Sequence, residues 1–143
     1  MRKLLLLFLL VFCISCEKNE TDDLLPLVPV DFEVNLNLPY YQNLQIPTGW
    51  VYTPDGFYGY KGVFIQNTGI GSPTTYKAFE RACPNNDCNA PMTFDGSTKF
   101  TCPCDKSEYS FLDGSPQTTG NIYFAREYRV VVTSNSTLTI TNF

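Results

Sequence analysis

The chain has 143 residues, of which ten are basic, fourteen are acidic and none is histidine, giving a formal charge of −4 at neutral pH. That balance argues against a nucleic-acid partner, and the lack of imidazole removes the commonest general base and the commonest metal-binding side chain. A chain of this length that is 43% hydrophobic can bury one modest core and leaves no room for a second domain.

Arg2 and Lys3 precede an apolar run, Leu4 to Phe12, that is too short to span a bilayer comfortably and has the form of an export signal. The run ends in Cys13-Ile14-Ser15-Cys16, followed by a polar and acidic stretch from Glu17 to Asp23. This arrangement resembles a bacterial lipoprotein signal, in which cleavage falls just before a cysteine that is then acylated. Small Ser15 ahead of Cys16 makes Cys16 the lipidation site, because bulky Phe12 stands ahead of Cys13. Cys13 itself occupies a position where leucine is commoner. The acidic stretch resembles the surface-export tags of lipoproteins of the Bacteroidetes, and it reads equally as a solvated tether. The expected organisation is a signal peptide over 1–15, a lipidated cysteine and flexible tether over 16–30, extended by Pro26 and Pro29, and a folded domain over 31–143. Cleavage leaves eight basic residues against fourteen acids, a formal charge of about −6, so attachment to a membrane has to be covalent rather than electrostatic. The implied location is the cell envelope, on the outer membrane and facing the periplasm or the cell surface.

Asp31 to Leu38 alternates, with Phe32, Val34, Leu36 and Leu38 on one side and polar residues on the other, the period-two signature of a half-buried strand. Tyr58–Gln66, Thr75–Ala82, Glu108–Leu112, Tyr123–Thr133 and Thr137–Asn142 are further strand candidates, rich in β-branched and aromatic residues. Thr133 to Ser136 reads as the turn of a terminal hairpin. No window sustains a helical stripe, so the expected class is all-β, a sandwich or a partly open barrel. Tyr40, Tyr41, Trp50, Tyr52, Tyr58 and Tyr60 cluster early in the domain, where they serve either as a ligand platform or as amphipathic core and edge packing.

With Cys13 in the signal and Cys16 lipidated, four cysteines remain in the domain: Cys83, Cys88, Cys102 and Cys104. An even number in an exported domain points first to disulfides. Their setting is more specific. "CPNNDC" at 83–88 and "CPCDKSEY" at 102–109 resemble the two boxes of the Rieske iron–sulfur domain, Cys-x-His-x-x-Cys and Cys-x-Cys-His-Gly-Ser-x-Tyr. The resemblance extends from about Lys61 to Asn142. "YKAFERACP" is similar to the strand entering the first box, and "FLDGSPQTTGN" to the turn after the second, with Asn121 where proline is usual.

The resemblance implies a small antiparallel β-sandwich with two cysteine-bearing loops. It matches Cys83 and Cys102 to the cysteine ligands, Cys88 and Cys104 to a disulfide between the loops, and Ser107 and Tyr109 to hydroxyls that hydrogen-bond the cluster sulfurs. The two histidine positions are Asn85 and Asp105, and Lys106 replaces a tight-turn glycine. A carboxamide is a very poor iron ligand and a carboxylate adds negative charge, so a cluster with the family's usual ligands is excluded by composition. Three states remain open. The cluster is lost and Cys83 pairs with Cys102 beside Cys88–Cys104; or zinc or an atypical 2Fe–2S cluster is held by Cys83, Cys88, Cys102 and Cys104, with Asp105; or Cys102-Pro103-Cys104 is a thiol–disulfide exchange motif. Ser107 and Tyr109 also have an ordinary reading, as a loop cap and as a strand residue alternating with Phe111.

No catalytic constellation stands out, since without histidine base chemistry falls to Asp87 and Asp105, neither of which has a recognisable partner. The expectation is a non-enzymatic envelope lipoprotein without cofactor, structural or binding in role. The alternative is an electron carrier with an atypical cluster. Its partners are then the membrane, through the lipid, and an envelope or redox protein. Changing Cys16 to serine should move the protein from the membrane to the soluble fraction on cell fractionation. Retention of Cys16→Ser in the membrane would show that the anchor lies elsewhere.

Overall fold

The computed structural model describes residues 24–54, 56–71 and 75–142. Among these, the chain forms β1 (Asp31–Asn35), a 3-10 helix (Pro39–Gln45), β2 (Trp50–Tyr52), β3 (Val63–Asn67), β4 (Tyr76–Glu80), β5 (Thr93–Phe94), β6 (Lys99–Thr101), β7 (Glu108–Ser110), β8 (Glu127–Ser134) and β9 (Thr137–Thr141). All pairings are antiparallel. One sheet has the order β1-β9-β8-β4-β3-β2 and the other β5-β6-β7. The fold is all-β, as the sequence leads one to expect, with a cysteine-bearing loop on each sheet.

Strand period and burial together explain how two sheets make two cores. The alternation of β1 buries Phe32 and Val34 and exposes Asp31, Glu33 and Asn35. Leu138 and Ile140 of β9 pair directly across from Val34 and Phe32. The large sheet curls so that this end meets Val63 and Ile65 of β3, Ala78 of β4 and Tyr128 of β8 in one apolar cluster. Strand β3 is buried on both sides, which is why it reads Val-Phe-Ile without alternation. Its residue Phe64, with Phe79 of β4, turns the other way and meets Met92, Phe94, Phe100 and Tyr109 in a second cluster, roofed by the small sheet. Ring centroids of Phe64 lie 4.7 Å from Phe94 and 4.8 Å from Phe100, within the range of favourable aromatic pairs.

The early aromatic residues divide between these cores. Trp50 and Tyr52 pack on the second, while Tyr41 and Tyr58 pack on the first, with Tyr58 stacked on Phe32 at 3.8 Å. Tyr40 and Tyr60 are exposed, and the Tyr40 hydroxyl donates to the Tyr52 carbonyl. The strand expected over 31–38 ends at Asn35: residues 36–38 turn and leave Leu38 exposed, and a 3-10 helix follows, which Pro39 starts and whose Leu44 is fully buried.

Expected strand ends at 111–112 and 123–126 lie outside β7 and β8, and two further segments differ from the sequence reading. Residues 58–62, expected to open a strand, form turns instead, with Gly59 and Gly62 at positive φ. The cause is Glu80, fully buried at the end of β4. Its side-chain oxygens accept the amides of Tyr60 at 2.7 Å, Lys61 at 2.8 Å and Ala82 at 3.0 Å, and the Tyr128 hydroxyl at 2.6 Å. All four partners donate, so the group has its full complement of hydrogen bonds without water. Gly59 is required there: a Cβ would come within 2.7 Å of Glu80 Oε2. Burial, with the neighbouring Glu80 charge, pushes the Tyr128 hydroxyl far above the usual tyrosine range.

The second is the end of the tether. Leu24 to Val30 lie along the domain: Leu25 and Val30 are buried, and Arg126 donates from its two terminal nitrogens to the carbonyls of Pro26 and Leu25 at 2.9 Å each. Asn142 closes the same segment through the Val28 carbonyl and the Val30 amide. The signal, Cys16 and the rest of the tether lie outside the described residues.

Glu80 fixes both the turn before β3 and the exit of β4. Glu80→Ala leaves three amides and a buried hydroxyl without an acceptor. Denaturant unfolding with the disulfides intact should show a loss of about 3 kcal/mol or more. A loss within the ordinary surface range of about 0.5 kcal/mol would mean that water substitutes for the side chain.

Candidate functional site

Four cysteines come together where the two sheets meet. Cys83 follows β4 by three residues, and Cys102 directly follows β6. The two are bonded, with Cα atoms 5.7 Å apart, and each residue is only 1% exposed. Beyond them, Cys88 is bonded to Cys104, again with Cα atoms 5.7 Å apart; Cys88 is 8% exposed and Cys104 is exposed. Closing a loop of about this length stabilises by about 3 kcal/mol in the chain-entropy account. The second link adds less, since the two loops, spanning 19 and 16 residues, overlap over most of their length.

The second cysteine loop is a tight turn between β6 and β7. The Cys102 amide donates to the Ser107 carbonyl and the Lys106 amide to the Cys102 carbonyl, at 2.8 and 3.0 Å. Lys106 has a φ of 64°, in the left-handed region, so the turn keeps a glycine-type backbone on a lysine side chain. That conformation costs a non-glycine residue about 1 kcal/mol or more. The Lys106 ammonium folds back and donates to the Pro103 carbonyl at 2.9 Å.

Asp105 and Asn85, the residues that the sequence resemblance sets against histidines, are both engaged. Asp105 accepts the Ser107 amide at 2.9 Å and also bonds the Ser107 hydroxyl. The Ser107 hydroxyl, and then its amide, hold the Asp105 carboxyl below the usual carboxylate range. Asn85 donates its amide nitrogen to Asn121 Oδ1 at 3.2 Å, and Asn121 Nδ2 donates in turn to the Tyr109 hydroxyl at 3.4 Å. Tyr109 is fully buried, and its hydroxyl is pushed up to about 12, by burial first and then by the Asp105 charge. Ser107 is buried beneath the turn.

The structure thus joins every sequence-selected domain residue in one place: Cys83, Cys102, Cys88 and Cys104 as two links, Asp105 with Ser107, and Asn85 with Tyr109 through Asn121. Asn121 is the member that sequence reasoning noted only as a departure. The signal was the pairing of that departure with Asn85, since two carboxamides can satisfy each other where a histidine and a proline cannot.

Any two-iron cluster needs free thiolates, and one of the Rieske kind needs nitrogen ligands as well. Here all four sulfurs are in disulfides, the Asn85 carboxamide faces Asn121, and both Asp105 oxygens face Ser107. As bonded, this donor set does not fit the cluster.

No family model and no curated protein sequence matches the chain. Among solved structures, it is similar to a protein from Mycobacterium tuberculosis named as the small subunit of an NADH-dependent nitrite reductase. The two are 15% identical over 81% of this chain and 97% of that one, with a TM-score of 0.43. So distant a likeness says nothing about activity.

The Asn85–Asn121 contact joins the first cysteine loop to the segment after β7. In a double-mutant cycle with alanine at each position, the coupling should be about 0.5–1.5 kcal/mol in unfolding free energy. Additive losses would mean that the two amides are solvated independently.

Proposed function

We propose that this chain is a cell-envelope lipoprotein carrying a degenerate Rieske-like domain, without a cluster, whose role is structural or binding and not catalytic. The observation that carries this reading is the bonding of Cys83 to Cys102, the two sulfurs that the resemblance assigns to iron. The hydrogen bonds of Asn85 and Asp105 support it, because both replaced ligand positions now serve the protein's own loops. Where a metal would tie the loops together, two covalent links and a chain of amides do so.

The same side chains are poor catalysts. A tyrosine hydroxyl held near 12 stays protonated at neutral pH, and the ionised form that could act as a base is scarce. Asp105 is held ionised by Ser107, with its proton affinity lowered, so it has no proton to give near neutral pH and is a weak base. An acidic, lipid-anchored domain with a rigid, doubly linked end is suited to present a surface to another envelope protein.

The reading is tested by restoring the ligands. Asn85→His, Asp105→His and Lys106→Gly together rebuild the family's boxes, and the glycine relieves the left-handed position in the turn. After anaerobic treatment with reductant, iron and sulfide, wild type should stay colourless. The triple variant should gain visible absorption and a paramagnetic resonance signal in its reduced state. A cluster in treated wild type would sink the proposal.

A further inference from the structure

We propose that the Cys88–Cys104 link is a thiol–disulfide exchange site for a dithiol, distinct in reactivity from the Cys83–Cys102 link behind it. This goes beyond the role proposed above and does not depend on lipidation or on the history of a metal site.

Exchange begins when a thiolate approaches a disulfide sulfur along the sulfur–sulfur axis, so access decides which link reacts. The inner link offers none: Cys83 and Cys102 are each 1% exposed, in the cluster with Phe64, Phe79, Phe100 and Tyr109. The outer link ends in Cys104, which is exposed on the β6–β7 turn between Pro103 and Asp105. The Lys106 ammonium lies on the Pro103 carbonyl, the carbonyl of the peptide bond leading into Cys104. It places a positive charge on the same turn, where it favours the approach of an anionic thiolate. Asp105 opposes this but is turned to Ser107, and exposed Asp87 adjoins Cys88 on the other loop. Two carboxylates outnumber the one ammonium, so charge does not favour the attack, and exposure is the lever.

The step balances as follows. One thiolate of the dithiol attacks Cys104 Sγ, the bond to Cys88 breaks, and Cys88 leaves as a thiolate. The second thiolate of the dithiol attacks its own sulfur in the mixed disulfide and expels Cys104 as a thiolate. The dithiol becomes a cyclic or internal disulfide, the protein gains two electrons, and the two protons of the dithiol pass through solvent to Cys88 and Cys104. The Cys83–Cys102 link still joins the two sheets, so the domain stays folded while the loop at 84–88 is freed from the turn. Asn86 of that loop holds the Leu24 carbonyl at 3.0 Å, so the change reaches the segment entering the domain.

The test uses the oxidised full chain and dithiothreitol under native conditions. Thiols are trapped at intervals with one maleimide, and the remainder are labelled with a second after denaturing reduction and mapped by mass spectrometry. Cys88 and Cys104 should be trapped together in a fast phase, at least about tenfold ahead of Cys83 and Cys102. Near-ultraviolet circular dichroism should show the fold intact at that point, and oxidised dithiothreitol should restore Cys88–Cys104. In Cys88→Ser/Cys104→Ser the fast phase should vanish. Simultaneous release of all four thiols, earlier release of Cys83 and Cys102, or release only on unfolding would each overturn the proposal. Re-oxidation to a different pairing would overturn it as well. The wild-type kinetics decide the matter even if the double variant does not fold.

Discussion

The small sheet is held to the large one by the bond between Cys83 and Cys102, and most of the site depends on that junction. Strands of two and three residues cannot sustain a sheet alone. Their main apolar contribution is the face carrying Phe94, Phe100 and Tyr109, which has value only when pressed on Phe64 and Phe79. The inner link sets the distance between the exit of β4 and the exit of β6, and with it the registration of those rings. Glu80 supports the same junction from the other side, by fixing the chain three residues before Cys83. At the far edge of the small sheet, Gly114 lets the segment after β7 lie against Ala125, where a Cβ would stand 2.6 Å from the Ala125 carbonyl oxygen.

Once the loops are covalently joined, the side chains between them are free to take on other work. Asn85 and Asn121 form one bridge, Asp105 and Ser107 another, and Tyr109 lies beneath both. The neutral contacts are weak, contributing about 1 kcal/mol each, and only the bonds to the ionised Asp105 are charge-assisted. Their value lies in leaving the buried polar groups of the site satisfied, because an unpaired one costs more than a paired one gains. Tyr109 shows the balance. Its hydroxyl meets Asn121 at a long 3.4 Å and the Ser107 side chain, and burial, with the Asp105 charge, outweighs the Ser107 bond in raising its proton affinity.

How far the sequence foretells this architecture depends on element length. Although the pattern at 31–35 carries on to Leu38, which is exposed, the alternation over 31–35 and the hairpin at the C-terminal end are legible, because period two sustained over five residues is the mark of a strand with one buried face. Strands β2, β5 and β6 are not, since two or three residues carry no period. The stretch at 58–62 looks like strand because its tyrosines favour one, but a buried carboxyl distant in sequence claims its amides. Tyr123 and Phe124 suggest strand through the same aromatic preference, whereas β8 starts at Glu127, after Arg126 has reached across to the tether carbonyls. At the site, the pairing of the four cysteines is the one expected of the two cysteine-bearing loops. The partner of Asn85 is not legible, because a polar contact between distant loops leaves no pattern in the chain, whereas Asp105 meets Ser107 two residues on in its own turn.

The composition also limits how such a domain can respond to its surroundings. With no histidine, no side chain has an ordinary pKa between about 5 and 8. The shifts that the fold imposes widen that gap: Asp95 and Asp105 move down, while Tyr109 and Tyr128 move up. For Asp105 the direction means that the stability its turn gains from the charge is present above the unfolded carboxylate pKa. It is lost only as pH falls through the lowered folded value, well below neutrality. Changes of pH near neutral therefore leave the charge of the folded domain almost untouched, and salt acts on partly exposed ion pairs such as Lys77 with Glu127 and Lys99 with Glu108. What remains responsive is sulfur. A domain built this way is insensitive to the variables that most proteins sense and open to one, the oxidation state of the link that its outermost loop exposes.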